Sequence, residues 1–562
     1  MTDSPPSAVF ELADQYVAAV ALLDPITATG LGVAGGERLL TDFSPEGSHA
    51  QAALAGSVLQ QLDAIEASGA LADDDRVAAL SMRERLGSLL AMHEAGDELR
   101  RINVLASPAQ EIRAVFDLMS YTDADQREDI AARMSAVPEA LASWRRSLEA
   151  GVDAGIVASR RQALAVAGQC DTFGDRDAGW FSTRVRQIAD ETGADVAPTL
   201  EAAGQAEAAY RESAEWLRDV YAPACDERDG VGAERYARMA RAWNGAQLDL
   251  LDTYEWGWVE LSRITARMES VADRLGVPLS EAKAFLDSSP EHTIAGEAAL
   301  LEFLLALTDR ATEAMSETYF DIDPRVRTCE VKIAAHGSAA APYYIPPSED
   351  LVRPGSTWYP TMGREVFPKW WLVSVWYHES VPGHHLQCST VVLERERLSR
   401  FQRTLGWTSG YGEGWALYAE RLMDELGFFA DSGEEMGFLS AQAMRAVRVV
   451  VDIGLHLGLT VPPGQGELSG REIDHALAVG LLIDRALLDR AFAESEVDRY
   501  LGIPGQAISY KVGERFWLEA RERAQSEAGD SFDLKAWHAY ALRLGPLGLD
   551  PFRVEMERFP GS

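Results

Sequence analysis

Between residues 7 and 24 the apolar side chains Val9, Phe10, Leu12, Ala13, Tyr16, Val17 and Val20 recur at three- and four-residue intervals, which lays them along one face of an α-helix. Variants of that pattern run through most of the chain to about residue 318, so the amino-terminal half is predicted to be helical. Helix starts are marked by Ser107-Pro108-Ala109-Gln110, where serine caps, proline suits the first turn and glutamine reaches back, and by Ser289-Pro290-Glu291 ahead of the apolar run 294–307. Residues 195–222 and 232–276 read as long helices, with Tyr254, Trp256 and Trp258 as core positions. After Asp321 the period changes. Residues 326–333 alternate as a strand does, and 341–345 and 356–359 are short extended candidates between Gly and Pro breakers. Helical spacing resumes at about 366, and no fixed-period repeat or low-complexity linker interrupts the chain. The pattern therefore predicts a mostly α-helical protein with a small β-sheet, its amino-terminal half 1–320 and its second half 321–562 packed as one body.

The second half holds the densest chemistry. Tyr377-His378-Glu379-Ser380-Val381-Pro382-Gly383-His384-His385-Leu386-Gln387 places three of the ten histidines beside a carboxylate. Imidazole is the commonest protein ligand for zinc, and a glutamate directly after a ligating histidine is placed to act as a base in a metal-dependent hydrolase. In the usual His-Glu-x-x-His motif the two imidazoles lie one helical turn apart. Here that fourth position is Pro382. On an unbroken helix His384 would point about 120° away from His378, and His385 would face correctly but lie roughly 10 Å along the axis. Proline lacks the amide hydrogen and clashes with the preceding turn, and glycine after it is permissive, so a kink or bulge at Pro382-Gly383 is expected. Such a break would bring His384, with His385 as the alternative, to the second ligand position. A helix end whose histidines bond the last carbonyls is the competing account of the same residues. The downstream segment Glu413-Gly414-Trp415-Ala416-Leu417-Tyr418-Ala419-Glu420 offers Glu413 as a third ligand, with Glu420 expected as an exposed partner of Arg421.

Taken together, these two segments resemble the domain of unknown function 885 family, which is similar to the gluzincin metallopeptidases such as thimet oligopeptidase and carboxypeptidase Taq. The later runs Arg445-Ala446-Val447-Arg448 through Asp452 to His456, Pro504-Gly505-Gln506 through Tyr510 to Gly513, and Phe532-Asp533-Leu534-Lys535-Ala536-Trp537-His538 add to the resemblance, as do Asp24-Pro25-Ile26-Thr27 and Asp42-Phe43-Ser44-Pro45. The resemblance implies a large helical body with a deep central cleft and a small sheet beside the metal-site helix. The edge of that sheet, at Tyr343 and Tyr344, would hold an extended peptide.

Composition narrows the partners. With 52 Lys and Arg against 88 Asp and Glu, the net charge of −36 argues against nucleic acid and anionic membranes, both of which need clustered basic residues. The first residues lack a basic and apolar signal-peptide pattern, and no stretch reaches membrane-span length, so a cytoplasmic location is expected. Four widely spaced cysteines without a Cys-x-x-Cys fit reduced thiols.

The chemistry expected from these residues is zinc-dependent hydrolysis of short peptides, of carboxypeptidase or dipeptidase type. Zn2+ would be held by His378, His384 and Glu413, with Glu379 taking the proton of the attacking water and Tyr510, His456 or His538 stabilising the oxyanion. Arg445 and Arg448, three apart on one helix, are candidates for a free substrate carboxylate or for structural ion pairs such as Arg448 with Asp452. Hydrolysis of a non-peptide amide or ester, and a helical binding protein without turnover, are the two other readings.

Overall fold

The computed structural model describes residues 7–334 and 341–560. Ser7 Oγ accepts from the Phe10 amide at 3.1 Å and starts the helix Ala8–Leu23. The Ser107/Gln110 capping box opens Pro108–Ala114, where both reciprocal bonds are present. Helices dominate, and the expected mostly α architecture with a small sheet is what is found. Two boundaries differ from the periodicity. Residues 232–276 form two helices, Gly232–Asn244 and α1, Leu250–Leu275. Between them Gly245 takes a left-handed φ of +63°, and a Cβ there would lie 2.2 Å from Gly548 Cα, so a backbone contact ends the first helix. The run 294–307 begins as the strand β1, Thr293–Ala295, and turns helical only at Glu297.

The chain divides into two compact units, one of Met1–Leu71, Leu86–Val231 and Asp498–Ile503, the other of Ala72–Arg85, Gly232–Val497 and Pro504–Ser562. Gly232–Val497 lies within one unit, where α1 packs with the carboxyl-terminal helices. The first unit is helical around a core that includes Trp144, Phe116, Phe181 and Tyr210, with the Tyr210 hydroxyl donating to Ala109 O at 2.6 Å.

The second unit holds both small sheets. β2 (Cys329–Ile333) lies parallel to β4 (Gly355–Tyr359), and β3 (Tyr343–Ile345) pairs with β4 antiparallel, with Tyr343 opposite Trp358 and Tyr344 opposite Thr357. The strand β5, Val366–Pro368, pairs with β1 and leads into helix α2, Lys369–Glu379. There follow α3 (His384–Leu393), α4 (Ser409–Glu425), α5 (Ser432–Leu457), α6 (Ser509–Ala528) and α7 (Leu534–Arg543).

α4 and α6 cross at glycine. A Cβ on Gly414 would lie 2.6 Å from Gly513 Cα, and one on Gly513 would lie 2.2 Å from the Gly410 carbonyl oxygen. Beside that crossing the ammonium of Lys511, completely buried, donates to Gln442 Oε1 and Glu514 Oε2 at 2.5 Å each and lies 2.9 Å from Glu260. Arg421 donates to Glu514 at 2.6 Å, so its partners are Glu514 and Glu260 and not Glu420. A buried charge without a partner is costly, so this network sets the register of α1, α4, α5 and α6.

Gly513→Ala should lower unfolding stability by about 1–3 kcal/mol or more, since the added methyl meets backbone that cannot rotate away. Gly480→Ala, where the helix His475–Ala486 leaves open space, should raise it by roughly 0.5–1 kcal/mol. Urea denaturation of the two variants checks this, and equal stability at both positions would refute the close crossing.

Candidate metal centre

His378 and Glu379 end α2, and the chain then leaves the helix. The Ser380 amide donates to Trp376 O at 2.8 Å, the Gly383 amide reaches back six residues to Tyr377 O at 3.1 Å, and α3 begins at His384. The Val381–Pro382 peptide within this break is cis. A Cβ on Gly383 would lie 1.9 Å from the His378 carbonyl oxygen, so this fold-back requires glycine. The Trp415 indole donates to Pro382 O and Gly383 O at 3.0 and 3.1 Å and ties the break to α4. As a result the rings of His378 and His384 meet edge to face with centroids 4.9 Å apart.

Glu413, on the first turns of α4, closes the group. Its Oε2 lies 3.2 Å from His378 Nε2 and 3.6 Å from His384 Nε2, and one ligand atom from each of the three residues falls within 4.8 Å of the others. Donor atoms around a tetrahedral ion with bonds of roughly 2.0–2.1 Å are about 3.4 Å apart, so the spacing and the N,N,O donor set both suit zinc. Burial opposes charge on Glu413, but the two imidazoles outweigh it and hold its carboxyl well below the usual range.

Behind this group lies a second layer that sequence reasoning assigned differently. Glu420, expected at the surface, is completely buried. Its Oε1 accepts from His378 Nδ1 at 2.8 Å, its Oε2 accepts from Ser374 Oγ at 2.5 Å, and the Arg445 guanidinium lies 3.3 Å away. The seven-residue spacing from Glu413 was the available signal, since it keeps both carboxylates on one face of α4. A carboxylate on the far nitrogen of a ligand histidine fixes the ring and leaves Nε2 for an ion. Burial disfavours the imidazolium of His378, yet Glu413 and Glu420 on its two nitrogens raise its pKa to about 9. Glu379 is half-buried, and desolvation raises its pKa against the pull of His378 and His384.

Tyr510, on the first turn of α6, stacks on the His378 ring at 6.2 Å between centroids, and the guanidiniums of Arg445 and Arg448 lie 5.8 and 4.5 Å from its ring centre. The two arginines differ. Arg448 is paired with Glu496 at 2.7 Å, not with Asp452, whose Oδ2 accepts from the Tyr236 hydroxyl and the Gly505 amide. Arg445 is buried, and its Nε and Nη1 have no hydrogen-bond partner among the described residues.

The remaining candidates are engaged away from the ligand group. His385 Nε2 donates to Val326 O at 2.8 Å and its Nδ1 accepts from the Tyr344 hydroxyl at 2.9 Å, so neither nitrogen is turned to a shared ion. Burial pushes its pKa down to about 4. Strand alternation sends Tyr344 to that contact and Tyr343 to the opposite face, where it stacks on Trp358. His456 packs on Tyr236 with Nε2 3.4 Å from Asp452. His538 lies against Phe320, donating from Nδ1 to Tyr319 O at 3.1 Å and accepting the Tyr418 hydroxyl at Nε2 at 2.8 Å. Both are fully enclosed helix-packing residues rather than oxyanion donors.

Residues 25–556 match the family of bacterial proteins of unknown function known as DUF885. The chain belongs to this family. No curated protein matches it. Among solved structures it is similar to a protein of Colwellia psychrerythraea provisionally described as a lipoprotein, with 21% identity, a TM-score of 0.82 and 98% of each chain covered. It is also similar to a Shewanella oneidensis protein, provisionally a lipoprotein of unknown function, with 18% identity, a TM-score of 0.75, and 98% of this chain and 100% of that one covered. At these identities the likeness shows a shared fold alone. No helix among the described residues is long and apolar enough to cross a membrane.

Burial pushes the pKa of His538 down from 6.5 to about 3. Between those values the unfolded chain binds a proton that the native state does not, so stability falls as pH drops from 6.5 toward 3. His538→Gln retains a donor for Tyr319 O and an acceptor for Tyr418, and should flatten that fall by up to about 1.4 kcal/mol per pH unit. Parallel stability curves for the two proteins between pH 6.5 and 4.5 would show that His538 is not held neutral.

Proposed function

We propose that this DUF885 protein is a zinc-dependent hydrolase of short peptides, related in mechanism to the gluzincin metallopeptidases. The observation that carries the reading is the convergence of His378, His384 and Glu413, with Glu379 next in sequence to the first of them. When bound, zinc supplies Lewis-acid chemistry, acidifying water and polarising a carbonyl. His378 and His384 would hold it through Nε2 and Glu413 through Oε2, while Glu420 keeps the His378 proton on Nδ1. Glu379 takes the proton of the attacking water on its carboxylate and returns it to the leaving amine nitrogen. Its raised pKa suits both halves of that transfer. Tyr510, against His378, donates its hydroxyl proton in a hydrogen bond to the developing oxyanion. Of the two arginines, Arg445 is the one with unpaired donors for a free α-carboxylate, which favours a carboxypeptidase or dipeptidase.

The protein should bind about one zinc per chain, and His378→Ala, His384→Ala or Glu413→Ala should each remove most of it. Glu379→Gln should retain zinc and abolish turnover, whereas Tyr510→Phe should lower kcat by roughly 10²–10³. Metal analysis with digestion of a peptide library tests the reading. Zinc retained by both His378→Ala and Glu413→Ala would exclude the site, and cleavage of esters but not peptides would move the substrate class.

Carboxylate recognition has its own measurement. Arg445→Ala should weaken the preference for free over amidated carboxyl termini by about 1.5–3 kcal/mol in kcat/KM. Equal rates on the two peptides in the native enzyme would exclude an exopeptidase that reads that end.

A further inference from the structure

Trp407 is 41% exposed and is the one exposed tryptophan among the described residues. It is held in place rather than left loose. On its amino-terminal side the helix Arg400–Thr404 is anchored by a capping box and by Gln402 Nε2 donating to Leu544 O at 3.2 Å. On the other side Thr408 caps α4 and donates from Oγ1 to Leu547 O at 3.0 Å. The indole itself sits on the backbone of α4 at Gly412, where a Cβ would lie 1.9 Å from Trp407 Cζ2. Tyr411 meets the indole edge to face at 6.3 Å between centroids, and the ring of the ligand histidine His384 is 6.5 Å away.

An indole seated by a glycine, with its neighbours pinned, presents a large apolar surface to solvent at little further entropy cost on binding. That surface adjoins the ligand group, within reach of a substrate side chain. We infer that Trp407 forms the floor of a subsite for an apolar, preferably aromatic, side chain on the residue flanking the cleaved bond. The inference rests on the hydrolase reading above and adds the substrate class. His384, its ring 6.5 Å from the indole, would with any cation it holds disfavour a basic side chain there, although an indole face alone attracts cations.

The test uses three tripeptides that differ at one side chain, Phe, Ala or Lys. Binding is measured by calorimetry on zinc-supplied Glu379→Gln protein, and kcat/KM on the native protein. The Phe peptide should be favoured over the Ala peptide by about tenfold or more in both measurements. Adding Trp407→Ala should reduce that ratio to about threefold or less, with zinc content unchanged, and Trp407→Phe should restore most of it. A Phe preference that survives Trp407→Ala, or a preference for Lys, overturns the subsite. Trp407-dependent binding without cleavage by the native protein overturns the hydrolase reading and leaves the subsite standing. Cleavage with a preference insensitive to Trp407 does the reverse, and neither binding nor cleavage overturns both.

Discussion

One buried carboxylate carries the geometry of the second unit's centre. Glu420, with no exposed surface, is shared by Ser374 and His378 of α2 and by Arg445 of α5 while itself belonging to α4. Placing a carboxylate there costs several kcal/mol of lost hydration, which only close partners offset. Three helices are thereby held in the one arrangement that satisfies it. The same contact decides how the His378 ring faces, since its Nδ1 is engaged and its Nε2 is directed at Glu413.

Three carboxylates crowd the candidate centre. Glu420 pairs with the buried guanidinium of Arg445, Glu413 faces the imidazoles of His378 and His384, and burial raises the pKa of Glu379. The two carboxylate neighbours of His378 raise its pKa to about 9 against the cost of burial. In a group of two imidazoles and a carboxylate, a second carboxylate behind one ring would orient it toward any cation the group holds.

Glycine makes the close approaches on which the centre depends. Gly383 lets the chain fold back on His378, Gly414 and Gly513 bring Glu413 and Tyr510 onto adjoining backbones, and Gly412 seats Trp407. At Gly355 a Cβ would lie 2.3 Å from the Tyr344 hydroxyl, so its absence gives room for the bond to His385 that holds the sheet on α3. Each position trades backbone entropy for proximity, and Gly383, Gly412, Gly414 and Gly513 lie on the elements that carry the centre.

Much was legible in the chain itself. The 3.6-residue period identified the helices, the alternation after Asp321 the sheet, and Pro382-Gly383 the break that makes six-residue histidine spacing workable, because these depend on local sterics. The sequence also singled out His378, Glu379, His384 and Glu413 by residue type and spacing. Tertiary structure decided what spacing cannot reach. It turned both nitrogens of His385 to Val326 and Tyr344, packed His456 on Tyr236 and His538 among aromatic rings, and separated Arg448, paired with Glu496, from Arg445. Glu420 moved from expected surface to the buried centre, and Arg421 found Glu514 instead. Those assignments depend on which helices meet, and partners 42 to 93 residues apart, such as His378 with Glu420 and Arg421 with Glu514, leave no periodic trace along the chain.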